Sequence, residues 1–275
     1  MVTDAYTGVA PATPSGASDT GLAQERSRSR STDFRSLKFL AWNGPIFLAA
    51  FFILWGVLPG NIPPHPLPSA TPLEVKSYYL DHSQAVMIGM SLCLTLTACY
   101  MAWGTAVSQV MTRIDGANGI LSKIELMGAT ITCAPIMTAC AFWLTAAHEA
   151  TTLSPAVLHM LYWLGWLLID LAYLVTSFQI GAASIVFMRD TREKPLVPAY
   201  VCWWGWLTVA SFFVVNAIPF VSTGPLAFNG AISFWFAFFT WFFWIPMLSF
   251  YVIKAVDRLK AEDATALGAA THPTA

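Results

Sequence analysis

The sequence predicts an all-α membrane protein, a bundle of six transmembrane helices with the N-terminus and the C-terminus both cytoplasmic. Three observations predict it. The chain is 56% hydrophobic and only 11% charged, whereas soluble domains carry about 25% charged residues. Six apolar stretches are long enough to cross a membrane, and all of the 14 Lys and Arg residues except Lys76 fall on one side of the resulting topology. Such a chain has too little charge to cover a soluble surface.

Each predicted span is a run of apolar residues long enough for one membrane crossing. A helix needs about 20 such residues to cross a hydrocarbon core about 30 Å thick. Because lipid offers the backbone no hydrogen-bond partner, continuous helices are the favoured way to cross. The six spans cover roughly residues 39–58, 86–107, 126–147, 158–188, 199–220 and 231–253.

The segments outside the spans are polar. Residues 1–38 are rich in Ser, Thr, Ala, Gly and Arg and have few large apolar side chains, which predicts a disordered cytoplasmic tail. A six-helix transmembrane domain then covers 39–254, and a flexible cytoplasmic tail is predicted over 255–275. In the external loop, a proline-rich piece is followed by an amphipathic stretch at 73–82, which predicts an interfacial helix.

Asp170 is the most informative residue, because a charged carboxylate near the bilayer centre costs about 2.5–3.5 kcal/mol. At helical periodicity it shares one face of the fourth span with other polar and aromatic residues, and that face is expected to point into the bundle. Two interpretations stay open. The face lines a substrate cavity or proton path, or a protonated Asp170 bonds a neighbouring helix and is purely structural. The candidate residues of this face are His159, Trp163, Trp166, Asp170, Tyr173 and Ser177.

Two further polar residues receive structural interpretations. Glu125 lies near the start of the third span beside Lys123, so it is expected to reach the membrane interface or to complement the positive end of the helix. Gln179, within the fourth span, is expected to hydrogen-bond between helices.

No metal or cofactor site is predicted. The weak candidates are His148, Glu149 and His159, since the two histidines end one span and begin the next, where they could ligate a haem. Their spacing matches no zinc or di-iron motif, and solvated polar residues are the simpler interpretation. The five cysteines lie in apolar stretches and are expected to serve as packing residues.

The composition also bounds the partners. A net charge of −1 and the lack of a glycine-rich phosphate loop argue against nucleic-acid binding. The expected partners are the lipid bilayer, a small apolar ligand and a second membrane protein.

Three segments carry a family resemblance: the WLLIDLAYL run around Asp170, the MRDTREKPLVP loop and the TGPLAFNG segment before the last span. Together they resemble an uncharacterised family of bacterial six-helix integral membrane proteins. The resemblance covers roughly residues 39–258 and implies a multi-pass protein of the bacterial cytoplasmic (inner) membrane. It implies no catalytic residue, cofactor or substrate.

Three functions remain open on the sequence. A non-enzymatic role is favoured, because no catalytic set is recognisable: the chain binds or passes a small, largely apolar molecule as a transporter or accessory subunit. The alternatives are a membrane enzyme or electron-transfer subunit that uses the outer-face histidines, and a structural anchor for a membrane complex.

The charge asymmetry yields a test of the orientation. A reporter that is active only in the cytoplasm should work when fused after Arg192 or Lys260. It should fail when it is inserted within residues 65–81 or fused after Gly224, because cytoplasmic loops retain Lys and Arg. Reporter activity in the opposite pattern would refute the predicted orientation.

Overall fold

The structure, a computed structural model, describes residues 33–271, with side chains as far as residue 268. Throughout this part of the chain the regular structure is helical, and six helices are long and apolar enough to cross a membrane, which confirms the predicted number. Residues 1–32 of the predicted N-terminal tail lie outside the described residues. The six helices are α1 (Phe34–Val57), α2 (Pro72–Asp115), α3 (Ile120–His148), α4 (Pro155–Met188), α5 (Ala199–Phe220) and α6 (Ala231–Gly268).

The six helices form a closed ring. Each packs against the next in sequence, and α6 returns against α1. Three of them change helix type near one end: α1 ends with a π-helical turn at Phe52–Val57, α5 ends with a 3-10 turn at Val215–Phe220, and α6 begins with a π-helical turn at Ala231–Phe236. The ring therefore encloses an interior to which every helix contributes side chains.

The predicted separate interfacial helix at 73–82 is wrong, because these residues are the first turns of α2. A capping box starts the helix: Glu74 N–H donates to Thr71 Oγ1 at 3.3 Å, and Thr71 N–H donates to Glu74 Oε2 at 2.6 Å. Helix α2 has 44 residues, and at about 1.5 Å per residue its length greatly exceeds the thickness of the apolar core. The helix therefore extends beyond the membrane.

One end of the bundle carries the loop between α1 and α2, residues 58–71, and is called the loop end. Two tyrosines tie this loop to the helices, since the hydroxyl of Tyr78 donates to Pro59 O and that of Tyr162 donates to Pro66 O. Lys76 donates to Leu153 O in the loop between α3 and α4 at 2.8 Å. These contacts order the loop against the helix ends.

The opposite end, where the other described Lys and Arg residues gather, is called the basic end. Lys38 of α1 pairs with Asp257 of α6 at 2.7 Å, and Arg113 of α2 pairs with Asp263. The first and last helices therefore meet here, which places both ends of the helical domain on the same side of the bundle.

Asp190 organises the loop between α4 and α5 at the basic end. It accepts hydrogen bonds from Leu196 N–H at 2.7 Å and from Arg192 Nη1 at 2.8 Å. Burial raises the pKa of Asp190, but these hydrogen bonds outweigh burial and hold the pKa below its ordinary value. The contact therefore stabilises the fold above the ordinary pKa of aspartate and is lost as the pH falls through the lowered pKa.

The segment predicted as a flexible tail, residues 255–275, begins within a helix, which continues from α6 beyond Gly268 to Thr271. Ala255, Val256 and Leu259 are buried against the bundle. Their spacing places them on one side of the helix, so the apolar face of α6 continues past the membrane and is held by the ion pairs of the basic end.

Glycines set how closely α3 and α4 approach. A methyl group built on Gly128 would lie 2.7 Å from Gln179 Cβ and 3.1 Å from its Cα. Real side chains do not approach so closely, so only glycine at position 128 permits this contact. The small-residue contact is the usual way in which membrane helices pack tightly.

Gly128→Ala should therefore destabilise the protein by about 1–3 kcal/mol, the usual cost of overpacking. The matched control is Gly181→Ala, whose new methyl group would lie 3.7 Å from the Trp206 ring, an ordinary contact. Thermal unfolding in detergent micelles measures both. Equal stability of the two variants would show that the α3–α4 contact is looser than described.

Candidate functional site

Asp170 lies inside the bundle. Its residue is 3% exposed, which confirms the prediction that it faces the interior, and its Oδ2 has no hydrogen-bond partner among the described residues. Tyr162 and Tyr173 are the titratable groups that interact with it electrostatically. A buried polar oxygen without a partner is rare in proteins, since leaving one costs about 1–3 kcal/mol. Asp170 is therefore a site that calls for an explanation.

The predicted polar face of α4 divides into two parts. Trp166, Asp170, Tyr173 and Ser177 are buried, and Ser177 Oγ donates to Tyr173 O at 3.0 Å. His159 and Trp163 are half-buried near the loop end and bond each other, with Trp163 Nε1 donating to His159 Nε2 at 3.2 Å. Only the first group belongs to the interior around Asp170.

An aromatic cluster surrounds this part of α4; it consists of Phe51, Trp55, Trp166, Phe228 and Trp241. The Trp166 ring stacks on Phe228 with centroids 4.6 Å apart, and Phe51 stacks on Trp55 at 4.7 Å. Trp55 lies edge-on to Trp166 at 5.8 Å, and Phe51 lies edge-on to Trp241 at 6.0 Å. Rings from α1, α4, α6 and the loop before α6 therefore meet in one continuous assembly.

The aromatic cluster contains one hydrogen-bond donor without an acceptor. The indole N–H groups of Trp55, Trp166 and Trp241 are buried; that of Trp55 has no partner among the described residues, whereas those of Trp166 and Trp241 interact with the hydroxyls of Tyr162 and Tyr100. A buried indole usually finds an acceptor. The Trp55 donor and the unpartnered Oδ2 of Asp170 are buried polar atoms that a bound molecule could satisfy.

A small cavity adjoins the aromatic cluster. Its volume is about 10 Å³, and its walls include Phe51, Ile169, Tyr173 and Trp241. A cavity of about this size holds at most one water molecule. A larger guest therefore requires the rings around the cavity to move.

Two helices have a local irregularity near the same level of the bundle. The regular α-helical hydrogen bonding of α2 is disturbed at Thr97 and that of α4 at Ala172, two residues after Asp170, while both residues keep right-handed helical backbone angles. Residues of α3 reach both places: Cys133 Sγ lies 3.5 Å from Thr97 O, and the hydroxyls of Thr132 and Thr176 are 2.8 Å apart. Hydroxyl groups that bond their own helix loosen it locally, so these helices can bend beside Asp170.

The expected interfacial role of Glu125 is wrong. Asp115 takes the helix-end position instead, because its Oδ2 accepts from Leu121 N–H at 3.1 Å and Ser122 N–H at 3.2 Å. Glu125 is fully buried. Its Oε1 accepts from Gln179 Nε2 at 3.1 Å, while its Oε2 has no partner among the described residues.

Gln179 links this carboxyl to a third helix, since its Oε1 accepts from the hydroxyl of Tyr100 at 2.8 Å. The structure thus reveals a buried carboxyl group that sequence reasoning places at the surface. The sequence does contain a pattern that indicates this burial: on α3, Glu125 shares a face with the small residues Gly128, Ala129 and Thr132, and such faces pack against neighbouring helices.

The two histidines that were weak metal candidates, His148 and His159, have different surroundings. The side chain of His148 is 72% exposed and lies 3.5 Å from Glu149, whereas the His159 ring bonds Trp163. In residues 33–271, no group of three or more His, Cys, Asp or Glu side chains could hold a metal ion. Separately, His65 and His82 line a surface pocket of about 370 Å³ at the loop end.

No protein-family model, curated protein or solved structure matches this chain.

The hydrogen bonding around the two carboxyls predicts that a substitution at Asp170 and one beside Glu125 affect stability to different extents. Asp170→Asn should leave the free energy of unfolding nearly unchanged, because it keeps the size of the side chain and removes no hydrogen bond to Oδ2. Gln179→Met keeps a similar length but strands Glu125 Oε1 and the Tyr100 hydroxyl, and should cost about 1–3 kcal/mol. Unfolding in mixed micelles measures both. A larger loss for Asp170→Asn would identify Asp170 as structural.

Proposed function

We propose that this chain is a multi-pass transport protein, or the membrane subunit of one, that binds a small, largely apolar molecule beside Asp170. Its proposed location is the bacterial cytoplasmic membrane, with both termini in the cytoplasm. The observation that carries the proposal is the unpartnered carboxyl oxygen of buried Asp170, on the helix that contributes Trp166 to the aromatic cluster.

The chemistry of Asp170 and the aromatic cluster defines the guest. Aromatic rings supply stacking surface to an apolar body, and the few polar atoms orient one polar group on it, as in most small-molecule sites. Asp170 offers a hydrogen-bond acceptor to an amine or hydroxyl group, and its charge attracts a cationic group when it is ionised. Tyr173, stacked on Phe212 with centroids 4.5 Å apart, forms a wall on the same side as Asp170.

The described conformation is closed. The cavity of about 10 Å³ has no room for a guest, so binding requires Trp241 or the neighbouring rings to rotate. The local irregularities at Thr97 and Ala172 give α2 and α4 places at which to bend.

Binding of a matched pair of probes tests the proposal. In protein reconstituted in nanodiscs, 2-phenylethylamine and ethylbenzene should both change tryptophan fluorescence saturably, because three of the cluster's rings are indoles. Asp170→Asn should weaken binding of the amine about tenfold or more, since a hydrogen bond to a charged group contributes about 1.5–3 kcal/mol. Binding of ethylbenzene should change little.

Asp81→Asn is the matched control, because it removes an exposed carboxyl at the loop end and should bind both probes as the unmodified chain does. Absence of a saturable signal for both probes would overturn the proposal. An equal effect of Asp170→Asn on the amine and on the hydrocarbon would remove Asp170 from the site.

A further inference from the structure

Glu125 is a second buried carboxyl that the proposed guest site does not use. The residue is fully buried, and its Oε2 has no hydrogen-bond partner among the described residues. A charged carboxylate is strongly disfavoured in such surroundings, whereas the protonated form carries no net charge. The carboxyl can therefore exchange a proton only when its surroundings open.

The surroundings of Glu125 are built around it by three helices. Gln179 of α4 donates to Oε1 at 3.1 Å, and Tyr100 of α2 donates to Gln179 at 2.8 Å. Gly104 of α2 lies against Ala129, and a methyl group at position 104 would stand 3.5 Å from Glu125 Oε1. Small residues and an amide thus leave a space that fits one carboxyl group.

Water at the basic end is close to this carboxyl. Glu125 is five residues into α3, which begins at Ile120, so it lies about 8 Å along the axis from the helix start at a rise of about 1.5 Å per residue. Lys123, two residues earlier, is exposed. A small separation of α3 from α2 or α4 would therefore admit water to Glu125.

Trp241 connects Glu125 to the proposed guest site. Its ring lies 5.9 Å from Tyr100, which is hydrogen-bonded to the partner of Glu125, and 6.0 Å from Tyr173, which interacts with Asp170. Trp241 also walls the small cavity. A rotation of Trp241 to admit a guest would thus alter the packing around both carboxyls.

We propose that Glu125 is a proton-binding site reached from the basic end, and that it gains or loses its proton when a guest enters beside Asp170. The coupling rests on the proposed function and makes this chain a proton-coupled carrier. When the proton leaves, the O–H bond of the Glu125 carboxyl breaks and a new O–H bond forms on water at the basic end, giving carboxylate and hydronium; uptake is the reverse, and no oxidation or reduction occurs.

The groups that face Glu125 determine its response to pH. Tyr100 of α2 is the titratable group that interacts with it, and Tyr100 in turn interacts with Cys133 of α3. From α4 the facing group is the uncharged Gln179. Asp170 acts on Tyr162 and Tyr173, and Trp241 packs between Tyr173 and Tyr100.

Infrared difference spectroscopy of the reconstituted full chain tests the proton site without any guest. A pH change should produce a C=O band of a protonated, buried carboxyl that is lost in Glu125→Gln and kept in the control Glu149→Gln. Tyr100→Phe keeps the ring and removes the donor to Gln179, so it should shift the pH midpoint of the band. A band unchanged in both Glu125→Gln and Tyr100→Phe would overturn the proposal.

Proton release into a pH-sensitive dye on addition of 2-phenylethylamine tests the coupling. The unmodified chain should move about one proton per bound amine, and Glu125→Gln should lose that movement while it still binds the amine. Undiminished proton movement in Glu125→Gln would refute the coupling. If the carboxyl band behaves as expected but no probe binds, the proposed guest site fails and the proton site stands.

Discussion

The structure depends on one constraint, that the hydrocarbon of a membrane offers polar groups no hydrogen-bond partner. Helices satisfy this constraint for the backbone, whose polar groups bond one another. Threonine hydroxyls on the outside of the bundle satisfy it by bonding carbonyls of their own helix. The hydroxyls of Thr105, Thr130 and Thr138 each donate to the carbonyl four residues earlier, at 2.8–3.0 Å. Large apolar residues such as Phe178 and Phe213 cover the same surface. Against this background, the unpartnered carboxyls inside the bundle are exceptions.

Two of the exceptions are carboxyl groups. Asp170 Oδ2 lies on the helix that contributes Trp166 to the aromatic cluster, while Glu125 Oε2 lies nearer the basic end with Gln179 as its neighbour. Each unpartnered group lowers stability, and proteins retain such groups chiefly where they serve a function. The two carboxyls lie at different depths and are joined through the packing of Trp241, and the proposed coupling rests on this arrangement.

The ends of the bundle are held by different chemistry from its interior. At the basic end, ion pairs connect α1, α2 and the loop after α4 to the last turns of α6, for example Lys38 with Asp257. At the loop end, tyrosine hydroxyls and Lys76 bind backbone carbonyls of the loops. Exposed pairs contribute about 0–1 kcal/mol each, so the rings and small residues of the interior supply most of the stability, and the ends can loosen without unfolding the bundle.

The sequence by itself determined the number of helices, their approximate bounds and the inward direction of Asp170, because apolar runs and helical periodicity are local properties. It misplaced Glu125 and divided α2 into two helices. The tertiary structure decided these points. The partner of Glu125 is 54 residues away and that of Tyr100 is 79 residues away, and the last turns of α6 are held by residues of other helices. Such contacts depend on the rotation and the depth of each helix relative to its neighbours. A local sequence pattern does not specify either quantity.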